Sequence, residues 1–186
     1  MKLIVVRHGI SISNEKEINA SVYEKYDGGL VEEGKEQAQK LMLELKNYNF
    51  NNIIVSPLKR TIETIRPYLD TLDNPSVIKL DLVTERDLGD LAGTKTGEIK
   101  EFYEKNNVID KVSWIPPNGE AVMEVYNRAK KFLNWLKENC DKDDTILLCS
   151  HSGFIRCLTV LINKGDINKF YDQNIPENAK IKIFEF

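Results

Sequence analysis

The strongest constraint on this chain is an alternation: short apolar runs of strand length, each followed by a stretch with helical periodicity. "LIVV" at residues 3–6, "NNIIVS" at 51–56 and "TILLCS" at 145–150 are rich in branched apolar residues and too short for buried helices. Between them, "EEGKEQAQKLMLELK" places Ala38, Leu41, Met42 and Leu45 on one helical face, and Leu58, Ile62, Ile65 and Leu69 repeat the pattern. Pro67 falls inside that second stretch and is expected to kink or split it. A longer helix follows "PPNGE", with Val122, Val125, Ala129, Phe132, Leu133 and Leu136 on one stripe, and "GFIRCLTVLI" after the last buried strand is a fourth, closed by Lys164 and Gly165. Strands alternating with helices predict an α/β layered fold with a mainly parallel sheet.

"SVIKLDLV" at residues 76–83 is expected to add a strand, and "AKIKIFEF" at 179–186 alternates like an edge strand with one wet face. Two stretches resist assignment, 13–29 and 89–119, the second around a short helix at 98–105. Neither has linker composition, so both are candidate substrate loops, and Tyr23, Tyr26, Phe102, Tyr103 and Trp114 within them either line an apolar pocket or pack beneath the loops.

Composition narrows the function classes. A chain of 186 residues, 41% hydrophobic, suits one domain spanning 1–186. A formal net charge of −3 gives no basic footprint for nucleic acid, so an anion site must be built locally. No run approaches the roughly 20 apolar residues of a membrane span, and the N-terminal apolar run is short for a signal peptide, so a cytoplasmic location is expected. Cys140, Cys149 and Cys157 form no C-x-x-C pair and are expected to be reduced thiols.

In parallel α/β sheets, ligands bind beyond the carboxyl ends of the strands. Here those ends carry Arg7-His8-Gly9, Ser56 with Lys59-Arg60, Thr84-Glu85-Arg86, and Ser150-His151-Ser152-Gly153. If they converge, one pocket holds both histidines of the chain, two or three arginines and a carboxylate. Guanidinium forks match phosphate oxygens at any working pH. An imidazole can attack phosphorus, and a neighbouring carboxyl group can protonate the leaving oxygen and later activate water. The glycines after the histidines are expected to let backbone N–H groups approach the anion, with Gly153 opening a helix N-terminus. Nothing in this set requires a metal or a cofactor.

Competing motifs fail on spacing. Six residues separate Cys149 from Arg156, where the phosphate loop of cysteine-dependent phosphatases has five, and Ser150 stands where a G-x-S-x-G elbow around Ser152 needs glycine. H-E-x-x-H, Walker and dinucleotide fingerprints are missing from the sequence.

Together the motifs resemble the histidine phosphatase superfamily, which contains cofactor-dependent phosphoglycerate mutases and many small phosphatases. "RHG" at residues 7–9 is similar to that family's signature, and Asn14 falls at the asparagine of "RHGETxxN". "DGGLVEEGKEQA" resembles "D-x-x-L-T-x-x-G-x-x-Q-A", and "SPLKRTIET" matches "S-x-L-x-R-x-x-x-T". "ERDLGDLAG", "PPNGEA" and "SHSGFIR" follow in the family's order. The resemblance implies a three-layer α/β/α sandwich in which His8 is the phosphorylated nucleophile and Glu85 the proton donor. Arg7, Arg60 and His151 would hold the phosphoryl oxygens and Asn14 would add a neutral donor, with Arg86 and the Ser152 backbone N–H as further contacts.

Ile10, Ser11, Val31, Ala92 and Ala121 depart from the family pattern at positions that spare the reacting groups, and they are expected to bear on substrate preference. The segment 94–115 is short, and its basic residues are four lysines. Mutases of the family carry longer, more basic insertions there, so a phosphatase acting on a small-molecule phosphate monoester is favoured over a mutase. A non-catalytic phosphate-binding module would be expected to lose His8 or Glu85. Small-sugar, nucleotide-like and glycerate phosphates all remain open as substrates, as does the oligomeric state.

Overall fold

The computed structural model describes residues 1–174 and 176–186, and for Glu24 the backbone alone. Five strands form one sheet: β1 (Lys2–Arg7), β2 (Asn52–Val55), β3 (Val77–Lys79), β4 (Thr145–Ser150) and β5 (Ile181–Glu185). Their order is β3-β2-β4-β1-β5, parallel throughout except that β5 runs antiparallel along β1. Seven helices connect them: α1 (Ile12–Glu15), α2 (Glu24–Asp27), α3 (Glu32–Leu45), α4 (Lys59–Leu69), α5 (Glu98–Lys105), α6 (Val122–Asn139) and α7 (Ser152–Ile162).

Strand periodicity sorts the core into two layers. Leu3, Val5, Ile146 and Leu148 face α6 and α7, where Phe132 meets Phe154 edge-on. Ile4, Val6, Leu147 and Cys149 face α3 and α4 and pack with Leu41, Leu45 and Ile65. The three-layer sandwich is therefore observed. The central strands are apolar on both faces because both faces are covered.

Two local expectations are corrected. "SVIKLDLV" is strand only over Val77–Lys79, after which Asp81–Val83 form a 3₁₀ turn leading to Glu85. Pro67 does not split α4. It sits in the last turn, where its missing N–H costs one hydrogen bond, and buried Ile65, Tyr68 and Leu69 anchor the helix on both sides of it. Lys164 and Gly165 close α7 as expected, with Lys164 in the left-handed conformation (φ +52°). The Gly165 N–H reaches the Val160 carbonyl at 2.8 Å and the Lys164 N–H that of Leu161 at 3.1 Å, a Schellman closure with lysine in the strained position.

Three of the departures from the family pattern fall at helix N-caps. Val31 caps α3 and Ala121 caps α6, and neither has a side-chain oxygen to offer the first turn. Ser11 keeps the hydroxyl and caps α1 in a reciprocal pair with Asn14.

Candidate active site

β1 and β4 pair in register, with Arg7 opposite Ser150, so their carboxyl ends deliver His8 and His151 side by side. The two rings lie 5.3 Å apart, and both are sealed from solvent (4% and 0% exposed). His8 is pinned through its backbone: its N–H donates to the Ser150 carbonyl at 3.1 Å, and its own carbonyl accepts from Asn178 Nδ2 at 2.7 Å. The His8 Nδ1 lies 2.8 Å from the Gly9 carbonyl. A carbonyl can only accept, so Nδ1 carries the hydrogen and Nε2 is left with its lone pair. Burial and the positive charges of Arg60 and Arg7 push the His8 pKa well below the usual imidazole value, which keeps the ring neutral.

His151 is the mirror case. Its Nε2 lies 2.8 Å from Ser56 Oγ, while its Nδ1 is buried without a partner. Ser56 Oγ also accepts, at 3.4 Å, from the Leu58 N–H, so the hydroxyl hydrogen is free to go to His151 Nε2. With Ser56 as donor the imidazole hydrogen sits on Nδ1, and with Ser56 as acceptor it sits on Nε2. Burial first, then Arg60, depress the His151 pKa strongly.

Arg60, in the first turn of α4, is only 2% exposed. Its Nη1 lies 3.0 Å from the carboxylate of Asp27, itself 1% exposed, and its Nη2 donates to the Ser21 carbonyl at 3.0 Å. The ion pair is close but poorly aligned for a hydrogen bond, leaving Nη1 with donor capacity for a ligand. Arg7 donates to the Pro176 carbonyl at 2.9 Å, and its Nε is buried and unpartnered. Lys59 points outward to Glu63 and takes no part.

Glu85 occupies the N-terminus of α7. Its Oε1 accepts from the Gly153 N–H at 3.0 Å and the Arg86 N–H at 2.9 Å, and its Oε2 from the Ser152 hydroxyl at 3.3 Å. A Cβ on residue 153 would collide with that carboxylate, so Gly153 is required by Glu85 and not, as expected from the sequence, by a bound anion. Gly9 is also reassigned. Its N–H is taken by Thr64 Oγ1 at 2.8 Å, and a Cβ there would press on the Gly34 carbonyl, so it serves close packing against α3. Arg128 of α6 ties down the approach to Glu85, donating to the carbonyls of Leu82, Thr84 and Glu85 while its fork grips Glu120 at 2.7 and 2.8 Å.

These groups surround a cavity of about 270 Å³ lined by seven of the eight residues named from the sequence, Asn14 among them. The eighth, His151, lies behind His8. Arg86 lines the cavity but is largely committed, donating to the Glu120 carbonyl at 2.8 Å and, at 3.4 Å each, to the hydroxyls of Tyr103 and Tyr171. None of the five loop aromatics named from the sequence lines it. Tyr23 packs on Tyr26, and Phe102 and Tyr103 on Trp114, while Phe102 and Trp114 also line a separate open cavity of about 600 Å³. The cavity's aromatics are Phe170 and Tyr171. Ile10, Ser11, Val31, Ala92 and Ala121 are likewise absent from the lining, so the departures from the family pattern lie outside it. Among the described residues no cluster of three or more His, Cys, Asp or Glu side chains could hold a metal ion, and no helix is long and apolar enough to cross a membrane.

Sequence reasoning missed Asp27, Arg128 and Arg156, and it placed Ser56 at a strand end without giving it a role. Asp27 and Ser56 sat inside quoted motifs, and Arg156 is one helical turn beyond Ser152. Arg128 left no signal beyond its place on an amphipathic helix.

Neutral imidazoles between guanidinium groups, facing a carboxyl group across a small cavity, define a phosphoryl-handling enzyme. The comparisons agree. A sequence model of the histidine phosphatase superfamily (branch 1) matches residues 3–186, and the chain belongs to that family. It is 32% identical to phosphoserine phosphatase 1 of Hydrogenobacter thermophilus, over 92% of this chain and 80% of that one. It is 28% identical to a 2,3-bisphosphoglycerate-dependent phosphoglycerate mutase of Parvibaculum lavamentivorans, over 96% and 88%. Its fold superposes on a phosphoserine phosphatase from Entamoeba histolytica in complex with phosphoserine with a TM-score of 0.82, at 21% identity over 100% and 90% of the two chains. The protein is a phosphoric monoester hydrolase.

Proposed function

We propose that this enzyme hydrolyses small phosphate monoesters through a phosphohistidine on His8, with Glu85 as the proton donor. The observation that carries the reading is the tautomer of His8: Nδ1–H bound to the Gly9 carbonyl, Nε2 free, and the ring held neutral beside two guanidinium groups. In the first step the Nε2 lone pair attacks phosphorus in line and the ester P–O bond breaks. The departing oxygen takes the proton of Glu85, giving the alcohol and a carboxylate. In the second step water attacks the phosphohistidine, its proton passes to Glu85, and the P–N bond breaks to release inorganic phosphate. Arg7 and Arg60 stabilise the equatorial oxygens as charge develops, His151 supports them from its buried position beside His8, and Asn14 adds a neutral donor. The cavity volume, near the lower end for ligand sites, suits a metabolite rather than a polymer.

The test is acid-labile phosphate on the protein during turnover. Wild type is expected to trap label on His8, and His8→Ala to lose both label and phosphate release from p-nitrophenyl phosphate. Turnover surviving His8→Ala would remove the mechanism. Label returned to a second hydroxyl of the substrate, with no inorganic phosphate, would turn the reading towards a mutase. No step calls for a metal, so a chelator is expected to leave the rate unchanged.

A further inference from the structure

The cavity has a cation that the phosphatase scheme does not use. Arg156 of α7 donates through Nη2 to the Phe170 carbonyl at 2.6 Å, and its guanidinium lies 4.2 Å from the centre of the Phe170 ring. Its Nε is buried and unpartnered. Its Nη1 has no partner among the described residues and is not sealed off, so it can donate into the cavity that Arg156 lines. One helical turn, roughly 6 Å along the axis, separates Arg156 from Ser152, and helical side chains lean toward the N-terminus, which brings this guanidinium toward Glu85. Arg86, on the same flank, has its donors occupied. Beyond Arg7 and Arg60, which the phosphatase scheme uses, Arg156 is therefore the lining arginine with a free donor among the described residues.

Charge points the same way. The lining holds four arginines and one carboxylate, Glu85, with Asp27 behind Arg60. When Glu85 carries the proton needed for the first step, three positive charges remain. A phosphate dianion neutralises two of them, and one is left for a second anionic group. The rest of the lining is apolar or neutral, including Ile18, Leu88, Ile99 and Asn19.

From this placement, and resting on the phosphatase reading above, we infer that Arg156 is the specificity-determining residue for substrates whose alcohol carries a carboxylate two or three atoms from the ester oxygen. Phosphorus sits against His8, the ester oxygen beside Glu85, and the carboxylate on the Arg156 fork. Phe170 holds that fork rigid from beneath, through its ring and its carbonyl.

A matched pair of esters isolates the carboxylate: O-phosphoserine and O-phosphoethanolamine differ by that group alone. For wild type, kcat/KM is expected to favour O-phosphoserine by about 10- to 100-fold, the range of a charge-assisted pair. In Arg156→Gln that ratio is expected to fall to about threefold or less, and in Arg156→Lys, which keeps the charge but not the fork, to an intermediate value. A wild-type ratio near one, or a ratio that Arg156→Gln leaves intact, overturns the assignment. Should Arg156→Gln fail to fold, the wild-type ratio and Arg156→Lys carry the test. Hydrolysis of p-nitrophenyl phosphate by wild type separates the two claims: its absence removes the phosphatase reading, whereas its presence with a flat ratio removes only the role of Arg156.

Discussion

The two ends of the cavity are built differently. At the phosphate end, Arg7, His8 and His151 extend from the buried strands β1 and β4, Arg60 begins α4, and each is held by backbone or buried side-chain contacts. At the leaving-group end, the walls come from 13–21, 88–99 and 170–171, and hydrogen bonds near the surface stitch the first two segments together. The first end is fixed by the sheet and performs a reaction indifferent to the alcohol. The second is built from loops and, in the proposed reaction, would meet the alcohol. A scaffold of this kind changes substrate without disturbing its chemistry.

Glu85 stands where the two ends meet, which makes it the sharpest probe of the division. Glu85→Gln keeps the shape and removes the proton. The rate for alkyl esters, whose leaving oxygen needs that proton, is expected to drop by about 10²- to 10⁴-fold, and that for p-nitrophenyl phosphate by much less. Steady-state rates on both esters measure it. Equal losses would mean that Glu85 serves the phosphate end alone, as an anchor on α7.

The same division decides what was legible in the sequence. His8, Arg60, Glu85 and His151 follow recognisable strands or open a helix, so periodicity located them before any geometry was known. Arg156 was hidden because α7 is apolar on nearly every face and a single arginine there resembles a solvated charge. Asp27 lies in a segment without periodicity, and its pairing with Arg60 spans 33 residues, a distance that no local pattern encodes. Gly9 and Gly153 were seen but misread, since only the packing reveals that one clears the Gly34 carbonyl and the other the Glu85 carboxylate.

The Asp27–Arg60 pair tests whether the phosphate end is preorganised by its own counter-charge. Asp27→Asn leaves a buried guanidinium without its carboxylate, and breaking such a pair is expected to cost about 3 to 5 kcal/mol of stability. Urea denaturation measures it. Inorganic phosphate, which supplies the missing negative charge, is expected to restore more stability to the variant than to wild type. A loss below about 1 kcal/mol would show that Arg60 is held by the Ser21 carbonyl instead, and that the phosphate end depends on the loops after all.

Acid gives the next smaller effect. Both imidazoles are held neutral in the folded protein by burial and by Arg60, so the unfolded chain binds more protons once the pH falls below its histidine pKa, near 6.5. The sign follows: stability is full above that value and declines as the pH drops beneath it, by about 1 to 1.5 kcal/mol per pH unit for each histidine. Denaturation midpoints at pH 7, 6 and 5 measure the slope. His151→Gln is expected to halve it between pH 6 and 5, where carboxylates contribute little. A flat profile would place the histidines in contact with solvent and erase the contrast between the two ends.

The smallest expected effect lies at the loop end. Asn19 donates through Nδ2 to the carbonyls of Thr94 and Lys95 at 3.2 and 3.1 Å, and its backbone pairs with Thr94 and Gly93, joining the two loops that form one wall. Asn19→Ala removes only the side-chain part of that seam, a loss of about 1 kcal/mol. If the leaving-group end opens independently of the sheet, the loss will not reach the global transition. Hydrogen exchange will then quicken about fivefold at 16–19 and 94–96, while β1 and β4 keep their protection. A matching drop in the global unfolding midpoint would mean that the loops and strands unfold as one unit, and the cavity would then be a single rigid site rather than a fixed reaction centre with a separately adjustable wall.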